Sequence, residues 1–194
     1  MSDNDKYGEP SSSIRTYTQL QFYPMAPRIE DIDILDIAHS LSNQCRYTGH
    51  TRDYYSVAEH SVRMSHIVSV PNQRWALMHD AAEAYLSDMA RPVKQHFPLF
   101  HEKEEVLLEL IAKKYNLSWP MPTEIDEADY IMISTEKRDL FDNAIQWTQL
   151  TDRPAPHSEV IIPWQPSVAF NEFTKRFKKL FGYVNDNRFT ATRV

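Results

Sequence analysis

Cysteine and glycine are almost missing from this chain. One cysteine, Cys45, and three glycines stand among 194 residues. A lone cysteine excludes an intrachain disulfide framework and a thiolate-rich zinc site, so a bound metal would have to rest on nitrogen and oxygen. Scarce glycine argues against Gly-rich phosphate loops, propellers and barrels with many tight turns. Neither GxGxxG nor a GxxxxGK phosphate loop occurs. No apolar run approaches the length that spans a bilayer, and the polar start Met1-Ser-Asp-Asn-Asp-Lys6 carries no apolar signal core. These features predict a soluble, cytoplasmic protein with no membrane partner. Positive charge is short too: the net charge is −6, which suits a small ligand better than a nucleic-acid backbone.

What is present is enough to fold. Hydrophobic residues make up 42% and aromatic residues 12%, consistent with a single domain and one continuous core. Residues 1–15 read as a flexible N-terminus and 16–194 as one domain. Tyr17–Tyr23 alternates weakly and stops at Pro24, suggesting a short strand or hairpin edge. Helical spacing follows from Glu30 through Ile34, Ile37, Ala38, Leu41 and Cys45, with Glu30, Asp31 and Asp33 crowding its start. Ser56 is placed to cap a helix through His60, Met64 and Ile67. Further helices are predicted over Trp75–Leu86, from Phe100 to Asn116, and from a Thr123/Asp126 capping box towards Trp147. A proline-rich loop over 151–166 precedes a closing helix striped by Val168, Phe173, Phe177 and Leu180. The reading is all-α, with at most a small N-terminal β-hairpin.

The most informative residues are His79 and Asp80, inside the apolar run Trp75-Ala-Leu-Met-His-Asp-Ala-Ala-Glu-Ala-Tyr-Leu86. Burying an unpaired imidazole or carboxylate costs several kcal/mol, and a metal ion satisfies both. His60 lies in an upstream helical segment and Asp129 in a downstream one. Two His and two Asp make a nitrogen/oxygen set for a divalent transition metal: Zn, Mn, Co, Ni or Fe. Glu83, four residues after His79, shares its face in a continuous helix. Glu83 and Asp88 are candidates for catalysis or for a second divalent ion, Mg, Mn or Co. Arg46, Arg91 and Lys94 supply positive charge for phosphates. Tyr47, Tyr54, Tyr55 and Tyr85 are aromatics able to stack on a base, although such residues more often belong to the core. His39 and His50 read as structural residues or as outer supports of a site, not as ligands, and His66, His96, His101 and His157 as solvent-facing.

Tyr55-Ser-Val-Ala-Glu-His-Ser-Val62, His79-Asp80-Ala-Ala-Glu83, Asp88, Arg91-Pro-Val-Lys94 and Glu127-Ala-Asp129 together resemble the HD-domain phosphohydrolase superfamily. The resemblance covers about residues 16 to 145. The superfamily pattern H…HD…D falls on His60, His79, Asp80 and Asp129. Asp36-Ile-Ala-His-Ser-Leu-Ser42, Cys45-Arg-Tyr-Thr-Gly-His50 and Glu83-Ala-Tyr-Leu86 are similar to short phage HD proteins. That group includes the dATP triphosphohydrolases of phages whose genomes carry diaminopurine. The resemblance implies an HD-type helical bundle and a metal-dependent enzyme that turns dATP into deoxyadenosine and triphosphate, acting in the host cytoplasm if phage-encoded. Arg46, Tyr47, Arg91 and Lys94 would then contact substrate. It also implies a homo-oligomer, hexameric or dimeric. The alternatives are a 5′-deoxynucleotidase acting on monophosphates and a non-catalytic HD module that binds a nucleotide. A cyclic-dinucleotide phosphodiesterase is disfavoured, since no Gly-Tyr-Pro follows the HD segment.

Overall fold

The computed structural model describes residues 12–142, 147 and 153–182. Strand β1 (Ile14–Arg15) pairs antiparallel with β2 (Gln21–Phe22), Ile14 opposite Phe22. Ile14 and Arg15 therefore belong to the hairpin and not to a flexible terminus; the rest of that expectation lies largely outside the described residues. Among the described residues every other named element is helical, so the fold is all-α with one small hairpin. The hairpin is fastened to helix α1 (Ile34–Asn43): Asp36 accepts from the backbone N–H and hydroxyl of Thr18 at 2.6 and 2.9 Å, and Tyr17 stacks on His39 at 3.9 Å.

Local chemistry sets the helix boundaries. Helix α1 starts four residues later than the acidic run predicts, because the Asp33 side chain accepts from Leu35 N–H at 2.8 Å and resets the start. Ile29–Asp31 forms a separate 3₁₀ turn. Ser56 caps α2 (Val57–Ile67) as its sequence predicts, accepting from Glu59 N–H at 3.0 Å.

The expected single helix over Trp75–Leu86 is instead α3 (Gln73–Met78), a tightened stretch, and α4 (Glu83–Leu86). Within the stretch, Ala81 N–H bonds Met78 O and Glu83 N–H bonds Asp80 O, each at 3.0 Å and three residues apart. The His79 ring engages the Ala76 carbonyl at 2.9 Å, the group an α-helix would give to Asp80 N–H.

Helix α5 (Arg91–Lys94) is a single turn begun by Pro92, and α6 (Pro98–Lys114) follows. Helix α7 (Glu124–Leu140) begins without the expected capping box: Thr123 has helical dihedrals and makes no side-chain cap bond. Glu124 instead reaches sideways to Ser69 and Asn72. It also stops short of Trp147, since Phe141 is extended; residues 143–146 lie outside the described set.

Helix α8 (Pro166–Phe181) closes the chain's described part and packs on α1, α2 and α3. Phe173 and Phe177 point into the core beside Ile37, Val62 and Leu77, which makes this stripe packing. Val168 is exposed instead, and Ala169 takes its place in the core. Phe173 is fully buried, so Phe173→Ala is expected to lower unfolding free energy by about 3–5 kcal/mol. Chemical denaturation checks this. Among the described residues no helix is long and apolar enough to cross a membrane.

Candidate metal centre

Three elements deliver the four candidate ligands. His60 comes from α2, His79 and Asp80 from the tightened turn after α3, and Asp129 from α7. His60 Nε2 lies 3.3 Å from His79 Nε2 and 3.3 Å from Asp129 Oδ1. Asp80 Oδ2 stands 3.1 Å from His79 Nε2 and 4.0 Å from His60 Nε2. One donor atom each from His60, His79 and Asp129 falls within 4.8 Å of the others, close enough to hold one ion.

The outer nitrogens explain how the rings are aimed. His60 Nδ1 meets Glu136 Oε1 at 2.6 Å, and His79 Nδ1 meets the Ala76 carbonyl at 2.9 Å. Both partners are acceptors, so each Nδ1 carries hydrogen and each neutral ring turns its Nε2 lone pair inward. Two lone pairs facing at 3.3 Å repel unless a cation lies with them. The residues therefore fit a divalent ion on their own geometry, through a nitrogen and oxygen donor set without thiolate. Without metal a proton serves. Burial and the Arg46 charge lower the His60 pKa, but Glu136 and Asp129 outweigh them and raise it to about 9. Burial pushes the Asp129 carboxyl up, yet its bond to His60 prevails and brings it to about 2. Asp80, buried likewise, is held well below the usual carboxylate range by His79, His60 and Arg46.

The cluster underlies a cavity of about 500 Å³, within the range of small-molecule sites. Asp80, Asp129, Glu83 and Asp88 line it with Arg46, Arg91 and Lys94. Tyr47, Phe141 and Trp147 form an aromatic wall, the Phe141 ring 5.1 Å from Tyr47 and 4.8 Å from Trp147. Every sequence-predicted site residue thus borders the cavity or forms its floor. Tyr54, Tyr55 and Tyr85 do not: Tyr54 donates to Ser42 O, while Tyr55 and Tyr85 are buried in the core. His50, read from sequence as structural or an outer support of the site, lines the cavity. His66, His96 and His101 are exposed and His157 is partly buried.

Each of the three cations is paired with a carboxylate of this chain. Arg46, with 11% of its side chain exposed, lies 3.3 Å from Asp80, 3.8 Å from Asp129 and 3.4 Å from Glu136. Arg91 lies 3.2 Å from Asp129 Oδ2 and donates to Tyr130 OH at 2.9 Å. Lys94 pairs with Glu104. Glu83 is the odd member. It is buried, its Oε2 makes no hydrogen bond among the described residues, and burial with the charges of Asp80 and Asp88 pushes its pKa well up. Burial likewise raises the Asp88 carboxyl, against the pull of Arg46.

Backbone strain places two of these groups. Ser87 takes φ 77°, ψ 149°, a region comfortable only for glycine. That turn brings Asp88 N–H within 3.0 Å of Gln44 Oε1, while Gln44 Nε2 donates to Glu83 O at 3.0 Å. Arg46 and Tyr47 enter through a left-handed turn, with Tyr47 and Thr48 at φ 54° and Gly49 at φ 76°. A Cβ on Gly49 would also meet Cys45 Sγ at 3.4 Å.

Similarity now defines the chain's family. It is 41% identical over 170 residues to the uncharacterised protein YfdR of Escherichia coli K12, spanning 87% of this chain and 96% of YfdR. The chain belongs to the YfdR family. An uncharacterised protein of Rhodobacter capsulatus is 38% identical over 112 residues, 53% of this chain and 57% of that protein. No protein-family model matches the chain. The match to YfdR runs nearly end to end in both proteins.

Glu136 and Gln44 escaped the sequence reading. Glu136 lies seven residues after Asp129, two turns along one helix face, and that spacing was the available signal. Gln44 acts through bonds to the backbone at Glu83 and Asp88, which leave no pattern in sequence.

Proposed function

We propose that this protein is a metal-dependent phosphohydrolase of the HD type acting on deoxynucleotides. The observation that carries the reading is the pair of inward Nε2 atoms 3.3 Å apart, flanked by Asp80 and Asp129 at the floor of a charged and aromatic cavity. Charge supports it. Four carboxyl groups line the cavity, and its three cations are already paired with carboxylates of this chain, so a phosphate gains most when divalent cations join it. An ion held by His60, His79, Asp80 and Asp129 supplies the positive charge that polarises a phosphoryl oxygen and acidifies a water. Glu83 and Asp88 stand beside that floor to take or give a proton, or to share a second divalent ion. The aromatic wall offers a face to a nucleobase.

The sharpest form of the proposal is dATP hydrolysis to deoxyadenosine and triphosphate, with Arg46, Arg91 and Lys94 holding phosphates. A second reading, a 5′-deoxynucleotidase, is favoured by the pairing of Lys94 with Glu104 and of Arg91 with Asp129, which leaves less charge for three phosphates. Chromatography of dNTPs, NTPs and dNMPs incubated with Mg²⁺, Mn²⁺, Co²⁺ or Zn²⁺ tests both. Triphosphate release supports the first and orthophosphate from dNMPs the second. Absence of turnover with every metal would leave a non-catalytic nucleotide-binding module.

Lys94→Ala separates the two readings further. A charge-assisted phosphate contact contributes roughly 1.5–3 kcal/mol, so kcat/KM for dATP is expected to fall at least about tenfold, and by more than for dAMP. Glu104→Gln, which releases Lys94 from its partner, is the control and should not lower dATP turnover. Equal losses on dATP and dAMP in Lys94→Ala would exclude the triphosphate reading.

A further inference from the structure

Beneath the proposed metal floor lies a carboxylate with more partners than any one role requires. Glu136 is fully buried on α7. Its Oε1 meets His60 Nδ1 at 2.6 Å, and its Oε2 accepts from the Tyr47 hydroxyl and faces Arg46 Nε at 3.4 Å. One oxygen thus serves a metal ligand and the other serves the cavity wall. We propose that Glu136 is a positioning residue that fixes both the His60 tautomer and the placement of Arg46 and Tyr47, so that metal site and substrate wall are built on one anchor. The inference rests on the metal-dependent reading above and goes beyond it.

The reasoning is geometric. An anion on Nδ1 keeps the hydrogen there and leaves Nε2 as the ligand atom; an amide can offer its oxygen to His60 but lacks the charge. Facing Tyr47 and Arg46, an amide would present its NH₂ where an acceptor stood, turning an attraction to the guanidinium into a clash of donors. Glu136→Gln is close to isosteric, and Arg46 keeps Asp80 and Asp129 as counter-charges, so the fold is expected to persist. Glu136→Asp is the second variant: it keeps the charge and shortens the reach.

The test is Co²⁺ affinity, measured by chelator competition, for wild type, Glu136→Gln, Glu136→Asp and Tyr47→Phe, beside KM for the nucleotide cleaved by wild type at saturating Co²⁺. The Co²⁺ dissociation constant should rise about 10–100-fold in Glu136→Gln, rise also in Glu136→Asp, and stay unchanged in Tyr47→Phe. KM should rise in Glu136→Gln and in Tyr47→Phe, and the double variant should show less than the product of the two changes. Wild-type Co²⁺ affinity in Glu136→Gln or, should that variant not fold, in Glu136→Asp would overturn the inference while leaving the metal reading intact. Independent, multiplicative KM effects would overturn the shared anchor. Failure of wild-type protein to bind Co²⁺ at all would overturn the metal reading itself, and the inference with it.

Discussion

Asp80→Ala is expected to purify without transition metal, where wild type carries about one tightly held ion per chain, and to lose turnover with it. Asp80 Oδ2 sits 3.1 Å from His79 Nε2 and 4.0 Å from His60 Nε2, so its removal takes away a donor and a negative charge from beside the two imidazoles. It also strips Arg46 of its 3.3 Å partner and leaves that guanidinium free to lean towards the metal floor. Outer partners of metal ligands are worth about 10–100-fold in affinity; Asp80, proposed above as a direct ligand and a partner of the buried Arg46, should cost at least the upper end. Elemental analysis after gel filtration, with circular dichroism to confirm folding, decides it. Asp80→Asn supplies the finer comparison, since shape is kept and charge is lost. Full metal retention in Asp80→Ala would remove Asp80 from the site.

The fold was legible where one residue's chemistry settles a local question. Ser56 can cap a helix start, and it does. Phe173 and Phe177 share a helix face and are apolar, so they fill the core. Legibility failed where two local chemistries competed. Asp33 outbid the earlier acidic residues for the start of α1, and Glu124 found Ser69 and Asn72 in place of its own helix end. The break in the predicted Trp75–Leu86 helix follows from the His79 ring engaging the Ala76 carbonyl, a bond that periodicity cannot reveal. In the candidate site, histidines and acids announced themselves because they are costly to bury. The sequence was silent on who neutralises whom. Arg46, Arg91 and Lys94 looked like phosphate ligands, yet each is paired with a carboxylate of this chain. Glu136, which the sequence reading passed over, lies buried behind His60 with its Oε1 2.6 Å from the ring Nδ1.

Glu83→Gln is expected to separate chemistry from metal holding. Glu83 lines the cavity beside Asp80 and Asp88, but its position differs from that of Asp80, whose Oδ2 lies 3.1 Å from His79 Nε2. The variant should keep the inner metal while turnover falls on the order of 10²-fold or more, the usual worth of a positioned acid or base. Stability should move the other way. Burial, together with the charges of Asp80 and Asp88, raises the Glu83 pKa in the folded protein. The folded state therefore holds this proton more tightly than the unfolded chain does. Its contribution to stability is present below the unfolded carboxylate's pKa, about 4.3, and is lost as pH rises from there through the folded value. A neutral amide escapes that loss, so metal-free Glu83→Gln should melt at or above the wild-type temperature at neutral pH, with the gap closing towards pH 4. A less active but no less stable enzyme is the signature of a side chain kept for chemistry. Thermal melts across pH, beside metal content and turnover, make the measurement. A fully active Glu83→Gln would reduce Glu83 to a structural residue, and a metal-free one would move it into the inner ligand set.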